Sequence, residues 1–207
     1  MSGKHVEQNQ PDTFEFSAAN QKRIEEILKK YPAERKKSGV MPLLDLAQRQ
    51  HDNWIPNAAI KKIGEILEIP QIKVYEVATF YTMYNLAPVG KYFVQVCTTS
   101  PCMIRGSGKI VNLCKKYISE KEGKLSDDKK ASWIEVECLG ACVSAPMMQI
   151  NDDFYEDLTE ETATKIFEGI KIDKLPNPGS QKGRVGFEPN KRLTLSLIHI
   201  SEPTRPY

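Results

Sequence analysis

The pattern of apolar and polar positions divides the chain in two. From Ser17 to Tyr84 apolar residues recur at three- and four-residue spacing, the mark of helices with one buried stripe. Ser17 can cap a helix running through Lys30, with Ile24, Ile27 and Leu28 on one face, and Tyr31-Pro32 stops it. A second helix is predicted from Met41 to His51 around Leu43, Leu44, Leu46 and Ala47. A third follows Pro56-Asn57 around Ile60, Ile63, Ile66 and Leu67, and Glu68-Ile69-Pro70 breaks it. A fourth spans Gln71 to Tyr84; its Val77, Phe80, Tyr81 and Tyr84 share a face that reads as core packing ahead of partner docking. Four short amphipathic helices can bury their stripes only against each other or a partner, so residues 17–90 are expected to form a small helical bundle. Residues 1–16 carry no period and are expected to be a flexible arm.

Ala87-Pro88-Val89-Gly90 turns the chain, and the period changes after it. An alternating strand at 91–96 is followed by a helix from Ser107 to Ser119, a charged loop from Glu120 to Lys130 and a second strand at 132–137. Pro146 precedes a third strand through Ile150, and Asn151-Asp152 turns it into a fourth at Phe154-Tyr155. Thr159 caps a closing helix to Ile170. The order β-α-β-β-α is the thioredoxin-like arrangement, so the fold class is α+β: a helical bundle followed by a thioredoxin-like domain over residues 91–172. In such folds a cis-proline often precedes the third strand, which makes Ala145-Pro146 the candidate. Residues 173–207 are Pro-, Gly- and Lys-rich and are expected to be an extended tail.

Candidate chemistry sits on the loops leaving the first two of those strands. Cys97 and Cys102 are spaced C-x4-C, and Cys138 and Cys142 are spaced C-x3-C. A crossover helix between parallel strands brings both loops to one end of the sheet, so the four thiols can share one site. Four thiolates suit a structural zinc or an iron–sulfur cluster, since both put tetrahedral sulfur around each metal. Zinc knuckles favour shorter C-x2-C spacing, and the wider gaps here are more comfortable for a [2Fe-2S] cluster with one cysteine pair per iron. Gly140 can let N–H groups point at sulfur, and Thr98, Thr99 and Ser100 add hydroxyl donors. The helix starting near Gly106 is expected to turn its positive end toward the first pair, with Arg105 and Lys109 nearby. Such donors should raise the reduction potential of an anionic centre. Cys114 falls on the apolar face of its helix and reads as packing. His5, His51 and His199 have no ligand spacing and receive no role.

Composition narrows the function further. A net charge of +2 with interspersed signs gives no basic block for nucleic acid, although the Asn57 and Pro70 helix starts look somewhat like a helix-turn-helix. No apolar run approaches the roughly 20 residues of a membrane span. Five cysteines, an odd number, without a signal peptide argue for reduced thiols rather than a secreted disulfide framework. Nothing resembles a nucleophile–base pair or a nucleotide-binding glycine loop.

The strings Val94-Gln95-Val96-Cys97-Thr98-Thr99-Ser100-Pro101-Cys102-Met103 and Ile134-Glu135-Val136-Glu137-Cys138-Leu139-Gly140-Ala141-Cys142-Val143-Ser144-Ala145-Pro146-Met147 resemble the thioredoxin-like [2Fe-2S] subunit of respiratory complex I, NADH:ubiquinone oxidoreductase. So do Leu44-Asp45-Leu46-Ala47-Gln48-Arg49-Gln50 and residues 74–84, and the wording is nearer the mitochondrial members, the flavoprotein 2 family. The resemblance implies that Cys97, Cys102, Cys138 and Cys142 ligate the irons of a [2Fe-2S] cluster. It implies an electron-carrier subunit without a nucleotide or quinone site of its own, paired with the flavoprotein that binds NADH and FMN and next to a large iron–sulfur subunit. It places the chain on the matrix side of the mitochondrial inner membrane, in the peripheral arm, without insertion, although no targeting peptide is visible. Storage of single electrons beside the flavin is the role it suggests. The equivalent diaphorase-type subunit of an NAD(P)-linked hydrogenase or formate dehydrogenase shares this architecture, and a zinc-binding scaffold is the alternative from another class. Residues 196–207 do not resemble the family's tail and look like translated sequencing adapter, so they are expected to be non-native.

Overall fold

The computed structural model describes residues 6–185. The expectations for residues 1–5 and for 186–207, the non-native ending and His5 and His199 included, lie outside the described residues. The chain divides between Lys91 and Tyr92 into two compact units.

The first unit holds α1 (Ala18–Leu28), a 3₁₀ segment (Ala33–Gly39), α2 (Val40–Gln50), α3 (Asn57–Leu67) and α4 (Gln71–Phe80). The Ser17 hydroxyl accepts the Asn20 N–H at 3.3 Å and so fixes the start of α1. The core is built from the stripes expected of it: Leu43, Leu44, Ala47, Ile60, Ile63, Val74 and Ala78 are all fully buried. Tight packing at the α3–α4 corner requires Gly64, where a Cβ would stand 2.9 Å from the Ile69 carbonyl oxygen.

Two expectations for this unit need correction. The described part of the arm is pinned to the bundle: Phe14 and Phe16 are buried in its core, and the Gln10 side-chain oxygen accepts the Asn57 N–H at the start of α3 at 2.9 Å. Two buried aromatics outweigh the absence of a period, because a segment of irregular backbone can still offer large apolar side chains to a core. The fourth helix stops at Phe80, four residues early. Tyr81 adopts extended backbone, so the face that helical spacing gives to residues 77–84 is split. Tyr84 swings into the core and donates its hydroxyl to the Met41 carbonyl at 2.9 Å, while Phe80 is left 77% exposed and Met83 also faces solvent.

The second unit carries β1 (Tyr92–Cys97), α5 (Ser100–Ile104), α6 (Ser107–Tyr117), β2 (Ala131–Val136), a 3₁₀ turn (Cys142–Ser144), β3 (Met148–Ile150), β4 (Asp153–Glu156), α7 (Glu160–Lys171) and β5 (Gly179–Ser180). The strand order is β2-β1-β3-β4-β5, with β1 parallel to β2 and antiparallel to β3. The thioredoxin-like order expected from the sequence is present, and the Ala145–Pro146 peptide bond is cis. Thr159 caps α7 in a reciprocal pair with Thr162. Between sheet and helices lies a core of Val94, Val96, Ile110, Cys114, Trp133, Met148, Ile166 and Phe167. Cys114 therefore packs in the interior, away from the other four cysteines. Two features were not expected. The tail returns to the sheet as β5, parallel to β4, and a separate short helix, α5, follows the first strand.

Candidate metal centre

Parallel pairing in the register Cys97↔Val136 sets the C-terminal ends of β1 and β2 side by side. Both cysteine pairs leave the sheet there. After Cys97 the chain turns at Thr98-Thr99 into α5, and Cys102 is its third residue, following Pro101 near the helix start where a missing N–H costs no bond. After Val136 it passes Cys138, turns at Gly140 with φ of +86°, and reaches Cys142 at the head of the 3₁₀ turn. That φ is one that L side chains rarely adopt, while space around the glycine is open, so the requirement is conformational.

The sulfurs meet two by two. Cys138 Sγ and Cys142 Sγ are 3.3 Å apart, close to the roughly 3.8 Å edge of a tetrahedron with 2.3 Å metal–sulfur bonds. Cys97 and Cys102 are buried together in one small cluster. The first pair is buried with Ala145 and Met147, against Leu139, Ala141 and Phe154; the second is exposed. Among the described residues no three His, Cys, Asp or Glu side chains converge on a single ion position. Two thiols per group is the number that each tetrahedral iron of a [2Fe-2S] cluster would take from the protein.

Within each pair the two thiols are driven apart. Burial acts to raise Cys97, but the Thr99 hydroxyl at 3.4 Å and the N–H groups of Leu139 and Thr99 hold it below the ordinary thiol value. Its neighbour Cys102 is pushed up to about 12 by burial and by its hydrogen bond to Cys97. Cys138 is lowered by the Gly140 N–H, which donates to its sulfur at 3.4 Å, and then by Cys142. Cys142 is raised by the hydrogen bond to Cys138. Each pair thus has one sulfur with a hydrogen-bonding group against it, Thr99 Oγ1 at Cys97 and the Gly140 N–H at Cys138.

The structure sorts the other expected contributors. Of Thr98, Thr99 and Ser100, Thr99 is the one whose hydroxyl reaches sulfur, that of Cys97 at 3.4 Å. Gly140 donates as expected. Arg105 lines a notch beside Cys142, its Nε 3.5 Å from the Ala145 carbonyl oxygen. Lys109 instead pairs with Glu160 at 2.7 Å and is not available to the site. The turn joined to the first pair is α5; α6 begins only after Gly106. His51 stacks edge-on between Phe14 and Trp54 in the other unit.

The side-chain roles of Arg184, Asp157, Ser144 and Ser180 escaped the sequence reading. Arg184, from the tail, donates to both carboxylate oxygens of Asp157 at 2.8 Å, to the Val143 carbonyl at 3.2 Å and to the Ser144 hydroxyl at 3.0 Å. Ser180 donates to Asp157 at 2.6 Å. No period or motif in the tail distinguishes Arg184 from the lysines around it.

Comparison with known proteins agrees with this geometry. Residues 24–171 match the family described as thioredoxin-like [2Fe-2S] ferredoxin. A protein of Rickettsia bellii, named as a subunit of NADH-quinone oxidoreductase, is 54% identical over 164 residues, which cover 79% of this chain and 95% of that one. A protein of Dictyostelium discoideum named NADH dehydrogenase [ubiquinone] flavoprotein 2, mitochondrial, is 47% identical over 196 residues, covering 93% of this chain and 79% of that one. Among solved structures, an NAD+-reducing [NiFe]-hydrogenase in the H2-reduced state is similar with a TM-score of 0.56 at 17% identity, over 65% of this chain and 22% of that chain. That last likeness speaks for the fold alone.

Proposed function

Because the chain belongs to the thioredoxin-like [2Fe-2S] ferredoxin family, we propose that it is the [2Fe-2S] electron-carrier subunit of an NADH:quinone oxidoreductase of the complex I type. The observation that carries this reading is the meeting of Cys97, Cys102, Cys138 and Cys142, two by two, at the shared end of β1 and β2. These four residues hold the cluster. When bound, a [2Fe-2S] cluster supplies one-electron transfer without any proton or nucleotide having to bind beside it. The chain's own part is to prepare and shield the site. The Thr99 hydroxyl and the Gly140 N–H lie against the Cys97 and Cys138 sulfurs, where they would stabilise negative charge, and Ala145, Met147 and Phe154 keep water from the inner pair.

Relatives at about half identity are named as parts of NADH-oxidising quinone reductases, so the electron partner is the NADH- and FMN-binding flavoprotein of the same assembly. A large iron–sulfur subunit is its neighbour. Met103, Ile104 and Val143, next in sequence to Cys102 and Cys142, are 63%, 79% and 61% exposed. An apolar rim of this kind around a cofactor site fits a protein partner better than solvent. The mitochondrial wording of the sequence favours the matrix side of the inner membrane, and among the described residues no helix is long and apolar enough to cross it. The hydrogenase-type subunit is the related reading, supported by fold likeness only.

Coexpression with that flavoprotein tests the proposal. The two chains are expected to copurify, and the double substitution Met103→Glu with Ile104→Glu is expected to weaken the complex at least about tenfold, as loss of central apolar anchors does. A chain that elutes alone whatever the rim carries would contradict the docked role.

A further inference from the structure

We infer that the tail is part of the metal site: Arg184 and Asp157 form a latch that fixes the turn after Cys142 and so positions the Cys142 sulfur. The inference rests on the proposed ligation of the cluster by Cys142. Arg184 lies beyond residues 24–171, the segment that matches the family.

The turn has little support of its own. Cys142–Ser144 is one short 3₁₀ turn, Cys142 is exposed, and its internal bonds are Ser144 N–H to the Ala141 carbonyl at 3.0 Å and Ala145 N–H to the Cys142 carbonyl at 3.3 Å. Arg184 supplies what the turn lacks. Its guanidinium spans the Val143 carbonyl and the Ser144 hydroxyl on one side and both Asp157 oxygens on the other. Asp157 is tied to the same turn, donating its N–H to the Ser144 carbonyl at 2.7 Å.

The latch is anchored in the sheet. Ser180 lies in β5, registered against Glu156 of β4, and donates to the Asp157 carboxylate. The side chains of Arg184 and Asp157 are only 15% and 8% exposed, so solvent competes weakly for these bonds. Asp157 holds a φ of +54°, in the left-handed region that aspartate tolerates better than most side chains. A path of direct bonds therefore runs from the β4–β5 edge through Ser180, Asp157 and Arg184 to the residues following Cys142. Groups that orient ligands in this way are typically worth about 10- to 100-fold in metal affinity. Lysine cannot replace this arginine, because one ammonium cannot meet a carboxylate bidentately and reach two further acceptors.

The cluster-loaded full chain tests this with Arg184→Ala, Arg184→Lys, Arg184→Gln and Ser144→Ala. We read the rate of iron loss to a chelator, the electron paramagnetic resonance g-values of the reduced protein, and the melting temperature. Arg184→Ala is expected to lose iron about 10- to 100-fold faster than the parent chain with shifted g-values. Arg184→Lys should not restore either. Ser144→Ala, which leaves the Arg184–Asp157 pair in place, should change both in the same direction and by less. If Arg184→Ala keeps the parent rate and g-values, the inference is overturned, even with a lowered melting temperature, since the residue then only fastens the tail. Should Arg184→Ala not fold, parent-like iron loss in both Arg184→Gln and Ser144→Ala overturns it equally. A parent chain that takes up no iron would refute the proposed function instead.

Discussion

At the scale of single residues, the proposed site is marked by groups placed against sulfur. The Thr99 hydroxyl lies 3.4 Å from the Cys97 sulfur, the Gly140 N–H donates to that of Cys138, and Arg105 stands beside Cys142. With a cluster on these cysteines, as proposed, each interaction would strengthen when the centre gains negative charge and so would raise its potential. A donor that favours the reduced state by about 1 kcal/mol corresponds to roughly 40 mV for one electron. Thr99→Val and Arg105→Ala are therefore both expected to lower the midpoint potential by tens of millivolts in a redox titration, and unchanged potentials in both would remove the electrostatic account. The cysteines and Thr99 were legible in the sequence because their chemistry is local: paired thiols at close spacing and hydroxyls within two residues. Arg184 was not, because its partners lie about 27 to 41 residues away and only the folded chain brings them together. Lys109 misled for the converse reason. It lies near the first pair in sequence, yet the packing of α6 and α7 hands it to Glu160.

At the scale of elements, amphipathic period located the helices of the first unit and alternation located the strands of the second. The period failed where aromatic residues end α4. Residues 79–84 are β-branched, aromatic or sulfur-bearing, most of them indifferent helix formers, and burying Tyr84 is worth more than continuing the helix. The phenol of Tyr84 is pushed up to about 12, chiefly by burial, with the charges of Asp45 and Tyr81 adding. The sign follows from the raised value. Below pH 10, the ordinary phenol value, Tyr84 is neutral in folded and unfolded chains and its contribution is complete. Between pH 10 and about 12 only the unfolded chain ionises, so stability falls across that window. Tyr84→Phe is expected to cost about 1–2 kcal/mol at neutral pH, for the lost bond to Met41, and to show a smaller alkaline loss in urea melts. An alkaline loss equal to that of the parent chain would show that Tyr84 does not carry it. The tail strand β5 was illegible for a different reason. Gly179 and Ser180 offer no alternation to read, and their pairing is set by the β4 edge.

At the scale of the whole molecule, each of the two units carries apolar surface of its own. The helical unit presents exposed Ile72, Phe80 and Met83, and the thioredoxin-like unit presents the apolar rim beside the cysteines. Near-neutral net charge and a mixed-sign surface leave such apolar patches as the features a partner protein would read. The resemblance to the complex I family rests on strings that include both the bundle helices and the cysteine loops, whereas composition alone allowed any α+β chain with reduced thiols. Between the zinc and iron that spacing leaves open, the family match favours an iron–sulfur cluster. The most direct test counts iron, acid-labile sulfide and zinc per chain in the parent protein and in single serine substitutions of all five cysteines. The parent should hold two irons and two sulfides, as a [2Fe-2S] ferredoxin does; Cys114→Ser should keep them, and Cys97→Ser, Cys102→Ser, Cys138→Ser and Cys142→Ser should each lose most of the iron. A colourless parent carrying zinc, or full iron in any of those four variants with loss in Cys114→Ser, would contradict the assignment.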